Sequence, residues 1–148
     1  MIKVTTNMFN KIMLAIDGSE HAKRAADSAI DLIKELSNAT ITIFHVASKA
    51  PSRAKLIHSN FDVQAILKEE AHHILHSVEK KFKNEQVEYL FEVALGEAPT
   101  EIVERANKGN FDLIIIGSRG LNSLGEMFLG SVSHQVAHDA HCPVMIVK

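Results

Sequence analysis

The sequence predicts a single α/β domain, a three-layer sandwich in which helices cover both faces of a mainly parallel five-stranded sheet. Short, β-branched apolar runs alternate along the chain with stretches whose apolar residues recur at helical spacing. The crossovers between successive strands are long enough to hold helices, which makes parallel pairing the expected arrangement. The length of 148 residues matches one domain with a single core.

Five strands are predicted at the apolar runs 11–16, 40–46, 87–93, 113–116 and 143–147. The third run alternates with Glu88 and Glu92, so we expect that strand near an edge of the sheet. Ser19 is a good N-cap for a first helix that ends near residue 36. The other predicted helices cover 61–84, the residues from the 96–99 turn to about 108, and the segment from 131 onward. The polar residues 47–60 are predicted to form a long loop.

Two helices have clear apolar stripes. The first predicted helix presents a face of small alanine residues, which lets it lie close against a sheet. In the 61–84 helix the predicted buried stripe consists of Val63, Ile66, Leu67, Ile74, Val78 and Phe82.

Composition excludes several classes of protein. Apolar residues make up 46% of the chain and charged residues 23%, as expected for a soluble globular domain. The net charge of −2 argues against a nucleic-acid-binding module, which normally has a basic face. No apolar run approaches the length of a membrane span, and residues 1–9, a predicted loose extension, are too polar for a secretory signal. The single cysteine, Cys142, is interpreted as a packing residue and fits a cytoplasmic protein.

The most informative stretch follows the fourth predicted strand. That strand stops at Gly117; Gly120 follows three residues later, and Gly130-Ser131 then opens a helix. Glycines let backbone N–H groups approach an anion closely, and the first turn of a helix has unpaired N–H groups and a positive dipole end. The pattern therefore predicts a phosphate site made mainly of backbone groups, with a long βα loop whose glycines only turn corners as the alternative.

The spacing G-x2-G-x9-G-[ST] resembles the nucleotide-binding signature of the universal stress protein family. The resemblance covers residues 10–148, which we expect to form a universal stress protein domain. It includes Asp17-Gly18-Ser19, His45-Val46, the turn at 96–99 and the closing run 142–147. Members with the full glycine signature are of the ATP-binding type, and this sequence has the full signature.

The resemblance implies an adenine nucleotide alpha hydrolase-like fold with strand order 3-2-1-4-5. In such sheets ligands bind outside the carboxyl ends of the strands, at the point where the order reverses. The resemblance also implies a homodimer formed through the last strand, and an uncovered apolar edge strand tends to find a partner.

The candidate nucleotide site combines three parts. Asp17 is expected to accept hydrogen bonds from ribose or to help hold a cation, with an Asx-turn or helix cap as the alternative. Ala15, Val46 and Ile116 would offer apolar surface to adenine, although they are equally suited to the core. The phosphate cradle is expected to consist of Gly117, Gly120, Gly130, Ser131, Val132 and Ser133, with Arg119 reaching phosphate or pointing to solvent.

The functional prediction is an ATP-binding module for stress response or signalling, with Mg or Mn as candidate ions held through the phosphates. No Walker lysine and no nucleophile elbow is present, so no catalytic residue is assigned. One alternative is a slow ATPase or a self-phosphorylating phosphotransferase with Ser131 or Ser133 as acceptor. The other is a dimeric interaction module.

Nine histidines raise the question of a metal site. His72 and His76 have i, i+4 spacing, as do His134 and His138, but neither pair is part of a His-Glu-x-x-His pattern. We interpret them as surface residues and predict no metal site. His45 is expected to be a satisfied core residue.

Overall fold

The computed structural model describes residues 8–119 and 129–148 and contains one five-stranded sheet. Its order is β3-β2-β1-β4-β5, and every neighbouring pair is parallel, so the expected fold and the order 3-2-1-4-5 are confirmed. The strands are β1 (Lys11–Ala15), β2 (Thr40–Ala47), β3 (Leu90–Leu95), β4 (Leu113–Gly117) and β5 (Val144–Val147).

Helices cover both faces of the sheet. Alternate residues of each strand point to opposite faces, so Ile12 and Leu14 pack on one side whereas Met13 and Ala15 pack on the other. The first side is covered by α1 (Glu20–Glu35) and α4 (His76–Asn84), and the second by α5 (Ala98–Lys108) and α6 (Ser131–Asp139). The remaining described helices are α2 (Arg53–His58) and α3 (Val63–Ile74).

The prediction of one continuous helix over 61–84 is wrong. The segment divides into α3 and α4 at Leu75, whose side chain is only 1% exposed. The two halves cover different neighbours: α3 packs beside β2 and β3, whereas Val78 and Phe82 of α4 join the core beneath α1. Two of the residues assigned to the buried stripe, Val63 and Ile74, are consequently exposed.

The prediction of a long loop over 47–60 is wrong in its second half, where α2 (Arg53–His58) lies. Ser52 caps this helix by accepting a hydrogen bond from the Lys55 amide at 3.3 Å. The start predicted for β3 is also wrong by three residues. Val87 is tied by its N–H to the carbonyl of Phe82 at 2.9 Å, which holds the chain against the end of α4 before the strand begins.

The edge position expected for the third strand is confirmed, since β3 is the outermost strand of the described sheet and its neighbour there is β2. Residues 1–7 lie outside the described part of the chain, so the loose extension over 1–9 stays a prediction, and Phe9 already packs against the core.

A buried carboxylate joins α3, α4 and the approach to β3. Glu79 of α4 is 7% exposed; its Oε2 accepts a hydrogen bond from the Tyr89 hydroxyl at 2.7 Å, and its Oε1 contacts His72 Nδ1. The His72 ring in turn stacks on Phe91, with 4.0 Å between the ring centroids. Burial of the phenol and its hydrogen bond to Glu79 raise the pKa of Tyr89 above its ordinary value.

Tyr89 gives a direct optical test of this cluster, because the chain has one tyrosine and no tryptophan. We expect tyrosinate absorbance to appear in the unfolded protein at about pH 10 and in the folded protein only at higher pH. Since the raised pKa belongs to the folded state, the unfolded state loses its proton first. The free energy of unfolding should therefore decrease as the pH rises above about 10.

The matched variants are Glu79→Gln and Glu88→Gln. The neutral amide at 79 removes the charge beside the phenol, so the Tyr89 pKa should move part of the way back towards its ordinary value, with burial retaining the rest. Glu88 is exposed, and its replacement should leave the titration unchanged. An unchanged titration in Glu79→Gln would contradict the role given to the Glu79 carboxylate.

Candidate functional site

A cleft of about 670 Å³ lies at the carboxyl ends of β1, β2 and β4. Strand β1 sits between β2 and β4, so the chain leaves the sheet in opposite directions on its two sides. The helical connections diverge at this point and leave a crevice between them. The topology therefore determines where the cleft forms.

Ten of the eleven residues predicted for the nucleotide site line this one cleft. The eleventh, Gly120, lies outside the described residues. The ten come from three separate parts of the chain, namely Ala15 and Asp17, then Val46, and then Ile116, Gly117, Arg119, Gly130, Ser131, Val132 and Ser133.

Sequence reasoning missed a wall of the cleft that α3 provides. Leu67, Ala71 and Ile74 line the cleft at i, i+4 and i+7 spacing, together with Glu70. Leu67 and Ala71 are 1% exposed, whereas Ile74 is 48% exposed, so the wall runs from the core to the surface. The spacing was visible in the sequence, but it predicted only that this face is buried and not that part of it borders a cleft.

Gly117 and Gly130 are required by close approaches of the backbone. A Cβ atom at Gly117 would lie 3.0 Å from the main-chain carbonyl of His21, and one at Gly130 would lie 3.0 Å from the Ser118 oxygen. Real Cβ atoms rarely come this close to backbone, which cannot move aside as a flexible side chain can. Both glycines therefore allow β4, α1 and the start of α6 to meet at the cleft.

The Ser118 carbonyl joins the two described ends of the glycine-rich segment. It accepts hydrogen bonds from the Gly130 amide at 2.7 Å and from the Ser133 hydroxyl at 3.0 Å, while the Ser118 amide donates to Val147 at 2.7 Å. The Ser133 hydroxyl also lies 3.0 Å from the Gly130 carbonyl, and Ser133 is 2% exposed. Ser133 lines the cleft, but its one hydroxyl proton is engaged with main-chain carbonyls.

The N-terminus of α6 opens onto the cleft. Ser131 and Val132 form its first residues and line the cleft, and the N-cap residue is a glycine without a side chain. Among the described residues no side chain caps this end. An uncapped first turn has unpaired N–H groups and a partial positive charge, which suits an anion.

Two polar side chains near the end of β1 make local contacts. Asp17 Oδ1 accepts a hydrogen bond from the Ser19 amide at 2.8 Å, so the Asx-turn considered for this residue is present, and Asp17 also lines the cleft. His45 Nδ1 lies 3.0 Å from the Ile16 carbonyl, and His45 is 8% exposed. A carbonyl oxygen only accepts, so Nδ1 donates, and the expectation of a satisfied core histidine is confirmed.

Cations border the cleft from two directions. Arg119 follows β4, and Lys49 follows β2. Glu70 on the α3 wall is engaged by Lys55 of α2. The guanidinium, the ammonium group and the start of α6 together favour an anionic ligand.

The remaining candidate groups have other roles. Cys142 packs against the core between the sheet and α5, and burial raises the pKa of its thiol, which lowers its nucleophilicity. Across residues 8–119 and 129–148, no three His, Cys, Asp or Glu side chains lie together as a metal site would require. No helix in those ranges combines the length and apolar character needed to cross a membrane.

The sequence matches a known protein family. A model of the universal stress protein family matches residues 8–148. The chain belongs to the universal stress protein family. Universal stress protein YxiE of Bacillus subtilis is 36% identical over 149 residues, covering 95% of this chain and 100% of the relative. Universal stress protein MJ0531 of Methanocaldococcus jannaschii is 34% identical over 149 residues, covering 100% of this chain and 87% of the relative.

Solved structures of universal stress proteins and their relatives share this architecture. Hypothetical protein MJ0577 superposes with a TM-score of 0.76 at 28% identity, covering 96% of this chain and 97% of that one. A universal stress protein in complex with cAMP has a TM-score of 0.73 at 24% identity, covering 96% of this chain and 99% of that one. A family protein from Arabidopsis thaliana with AMP bound has a TM-score of 0.65 at 22% identity, covering 94% and 91%. The last two likenesses establish the fold alone.

Ser133 and Ser131 are a matched pair for testing how this universal stress protein holds its cleft. Ser133→Ala removes the hydroxyl that joins Ser118 to Gly130, so we expect the free energy of unfolding to decrease by about 1–3 kcal/mol. Ser131 is exposed, and Ser131→Ala should change the free energy of unfolding by less than about 0.5 kcal/mol. Urea denaturation of the three proteins measures both. Equal stability of Ser133→Ala and wild type would contradict the structural role.

Proposed function

We propose that this universal stress protein binds ATP in the cleft and acts as a nucleotide-dependent module in stress response or signalling. The observation that carries the proposal is the pairing, in one cleft of about 670 Å³, of apolar walls with an uncapped helix N-terminus. An adenine nucleotide has the same two halves, an apolar ring system and an anionic tail. The cAMP and AMP complexes of similarly folded proteins support the ligand class.

The base and ribose are assigned to the ends of β1 and β2 and to the α3 wall. Val46 and Ala15 provide apolar surface, and Ile74 extends it towards the cleft mouth. The Asp17 carboxylate lies at the end of β1, where it can accept hydrogen bonds from ribose hydroxyls. These contacts would supply affinity that does not depend on the number of phosphates.

The phosphates are assigned to the start of α6 and the glycine-rich segment. The amides of Ser131 and Val132 belong to the uncapped first turn, while the Gly130 amide already donates to Ser118 and so contributes by holding the turn in place. Arg119 supplies a fixed positive charge, and Gly120 completes the predicted cradle. Mg or Mn would be held through the phosphates, because the described residues supply no cluster of protein ligands.

The proposal is for a binding protein without an assigned catalytic residue. Ser133 is a poor acceptor for phosphate because it is buried and its hydroxyl is engaged. Ser131 is exposed beside the start of α6, and this observation favours the second candidate, slow transfer of the γ-phosphate to its hydroxyl. Incubation with radiolabelled ATP and Mg or Mn separates the two functions, since labelling that Ser131→Ala abolishes would identify a phosphotransferase.

Equilibrium titration of nucleotide-free protein with ATP tests the main proposal. Ile74→Glu places a negative charge on the cleft wall and removes apolar surface, so ATP affinity should fall about five- to tenfold, equivalent to about 1–1.4 kcal/mol. Leu90→Glu is the matched control, because Leu90 is also an exposed apolar residue, at 59% against 48% for Ile74, but lies on β3, away from the cleft lining. Absence of saturable ATP binding by the wild type would remove the proposal.

The phosphate assignment makes a separate comparison possible within the same experiment. Arg119→Ala should weaken ATP binding more than AMP binding, because the lost charge acts mainly on the longer anionic tail. Equal losses for ATP and AMP would place Arg119 outside the polyphosphate site. The same titrations rank ATP, ADP, AMP and cAMP.

We also propose a cytoplasmic homodimer formed through β5. Within residues 8–119 and 129–148 this strand pairs only with β4, and its four apolar residues are only partly buried, so the backbone N–H and C=O groups of its other edge are available to a second strand. Light scattering over a range of protein concentrations should give the mass of two chains. A monomer mass at micromolar concentration would contradict this assembly.

A further inference from the structure

The turn between α2 and α3 exposes three large apolar side chains within seven residues. Ile57, Phe61 and Val63 are 55%, 68% and 37% exposed, and we call these three the α2–α3 patch. Main-chain hydrogen bonds hold the turn: the Phe61 amide donates to the Leu56 carbonyl at 2.7 Å, and the Val63 amide donates to the Phe61 carbonyl at 3.1 Å. The patch is therefore presented by an ordered turn.

Phe61 adopts a backbone conformation that a bulky residue rarely takes. Its φ is 64°, in the left-handed region. The other described non-glycine residues with positive φ are Asn38, Asn60, Gln86 and Asn110, each just beyond a helix end. Strain of this kind persists where the surroundings impose it and often accompanies a functional surface. Here it holds an aromatic ring in solvent, where burial of the ring does not compensate for it.

The segment that leads to the patch is basic. Residues 47–61 contain Lys49, Arg53 and Lys55 but no Asp or Glu. Lys55 is paired with Glu70, whereas Lys49 and Arg53 have no acidic partner among the described residues. The next acidic residue, Asp62, is engaged as the N-cap of α3 and accepts a hydrogen bond from the Ala65 amide at 3.0 Å.

We propose that α2 and the α2–α3 patch dock an acidic amphipathic segment of a partner protein. Apolar side chains of the partner would pack on Phe61 and Ile57, and its carboxylates would face Arg53, which lies four residues before Ile57 on α2. Exposed aromatic and arginine residues are the types that supply most of the binding energy in protein interfaces. Charge complementarity favours a partner with negative charge and increases its rate of association. Ile57, Phe61, Val63 and Arg53 lie outside the lining of the nucleotide cleft.

A fluorescein-labelled synthetic helix with glutamate on one face and leucine and phenylalanine on the other is the probe. We expect it to bind the full chain with an affinity that falls as salt is added, and a peptide with lysine in place of glutamate to bind at least fivefold more weakly. Arg53→Glu should lower the affinity for the acidic peptide at least fivefold. Lys108→Glu, at a side chain 79% exposed on α5, is the matched charge control and should leave binding unchanged.

Phe61→Asn separates docking from folding. Asparagine tolerates positive φ, so this variant should unfold at a higher urea concentration than the wild type while it loses at least fivefold in peptide affinity. Leu90→Ser, another exposed apolar residue, should leave binding unchanged. A lower urea midpoint for Phe61→Asn would show that the ring supports the fold and would overturn the proposal.

Three further results would also overturn it. One is equal affinity for the acidic and the lysine peptides. Another is binding to vesicles of phosphatidylserine and phosphatidylcholine, reduced in Phe61→Asn, without binding of the acidic peptide, which would identify a lipid surface as the occupant. The third is self-association that Phe61→Asn abolishes, which would identify a second copy of the chain.

Discussion

The cleft depends on one carbonyl group, that of Ser118. By accepting from the Gly130 amide and the Ser133 hydroxyl, it fixes the start of α6 against the end of β4, while the Ser118 amide reaches β5. These contacts are main-chain hydrogen bonds with one buried hydroxyl, and together they hold the start of α6 at the cleft. Gly117 and Gly130 are the condition for this arrangement, because side chains at either position would separate the segments.

Among the described residues, the cleft is bordered mainly by backbone groups, apolar side chains and polar side chains that make local contacts. Backbone amides and a helix dipole hold negative charge but do not transfer protons. The titratable side chains nearby are engaged in local structure: Asp17 closes a turn, His45 donates to a carbonyl, and Glu70 pairs with Lys55.

The strands and their order were within reach of the sequence because buried parallel strands are continuous apolar runs and because the glycine spacing pointed to one family. The break between α3 and α4 at Leu75 could not be predicted from the sequence, because the apolar residues keep helical spacing across Leu75. The break becomes understandable only from the different neighbours of α3 and α4. For the same reason the sequence placed Ile74 in the core. Periodicity distinguishes the inward face of a helix but does not say whether protein or an open cleft lies opposite.

Helix α3 connects the two surfaces to which function is assigned. Val63 at its start belongs to the α2–α3 patch, and Ile74 at its end borders the cleft. Lys55 joins α2 to Glu70 midway between them. The fact that α3 borders both surfaces does not by itself couple them. Nucleotide would change the affinity for the partner only if it bound two arrangements of α3 with different affinity. The partner would then change the affinity for nucleotide by the same factor. Ile74 is the most exposed of the three apolar residues that α3 contributes to the wall.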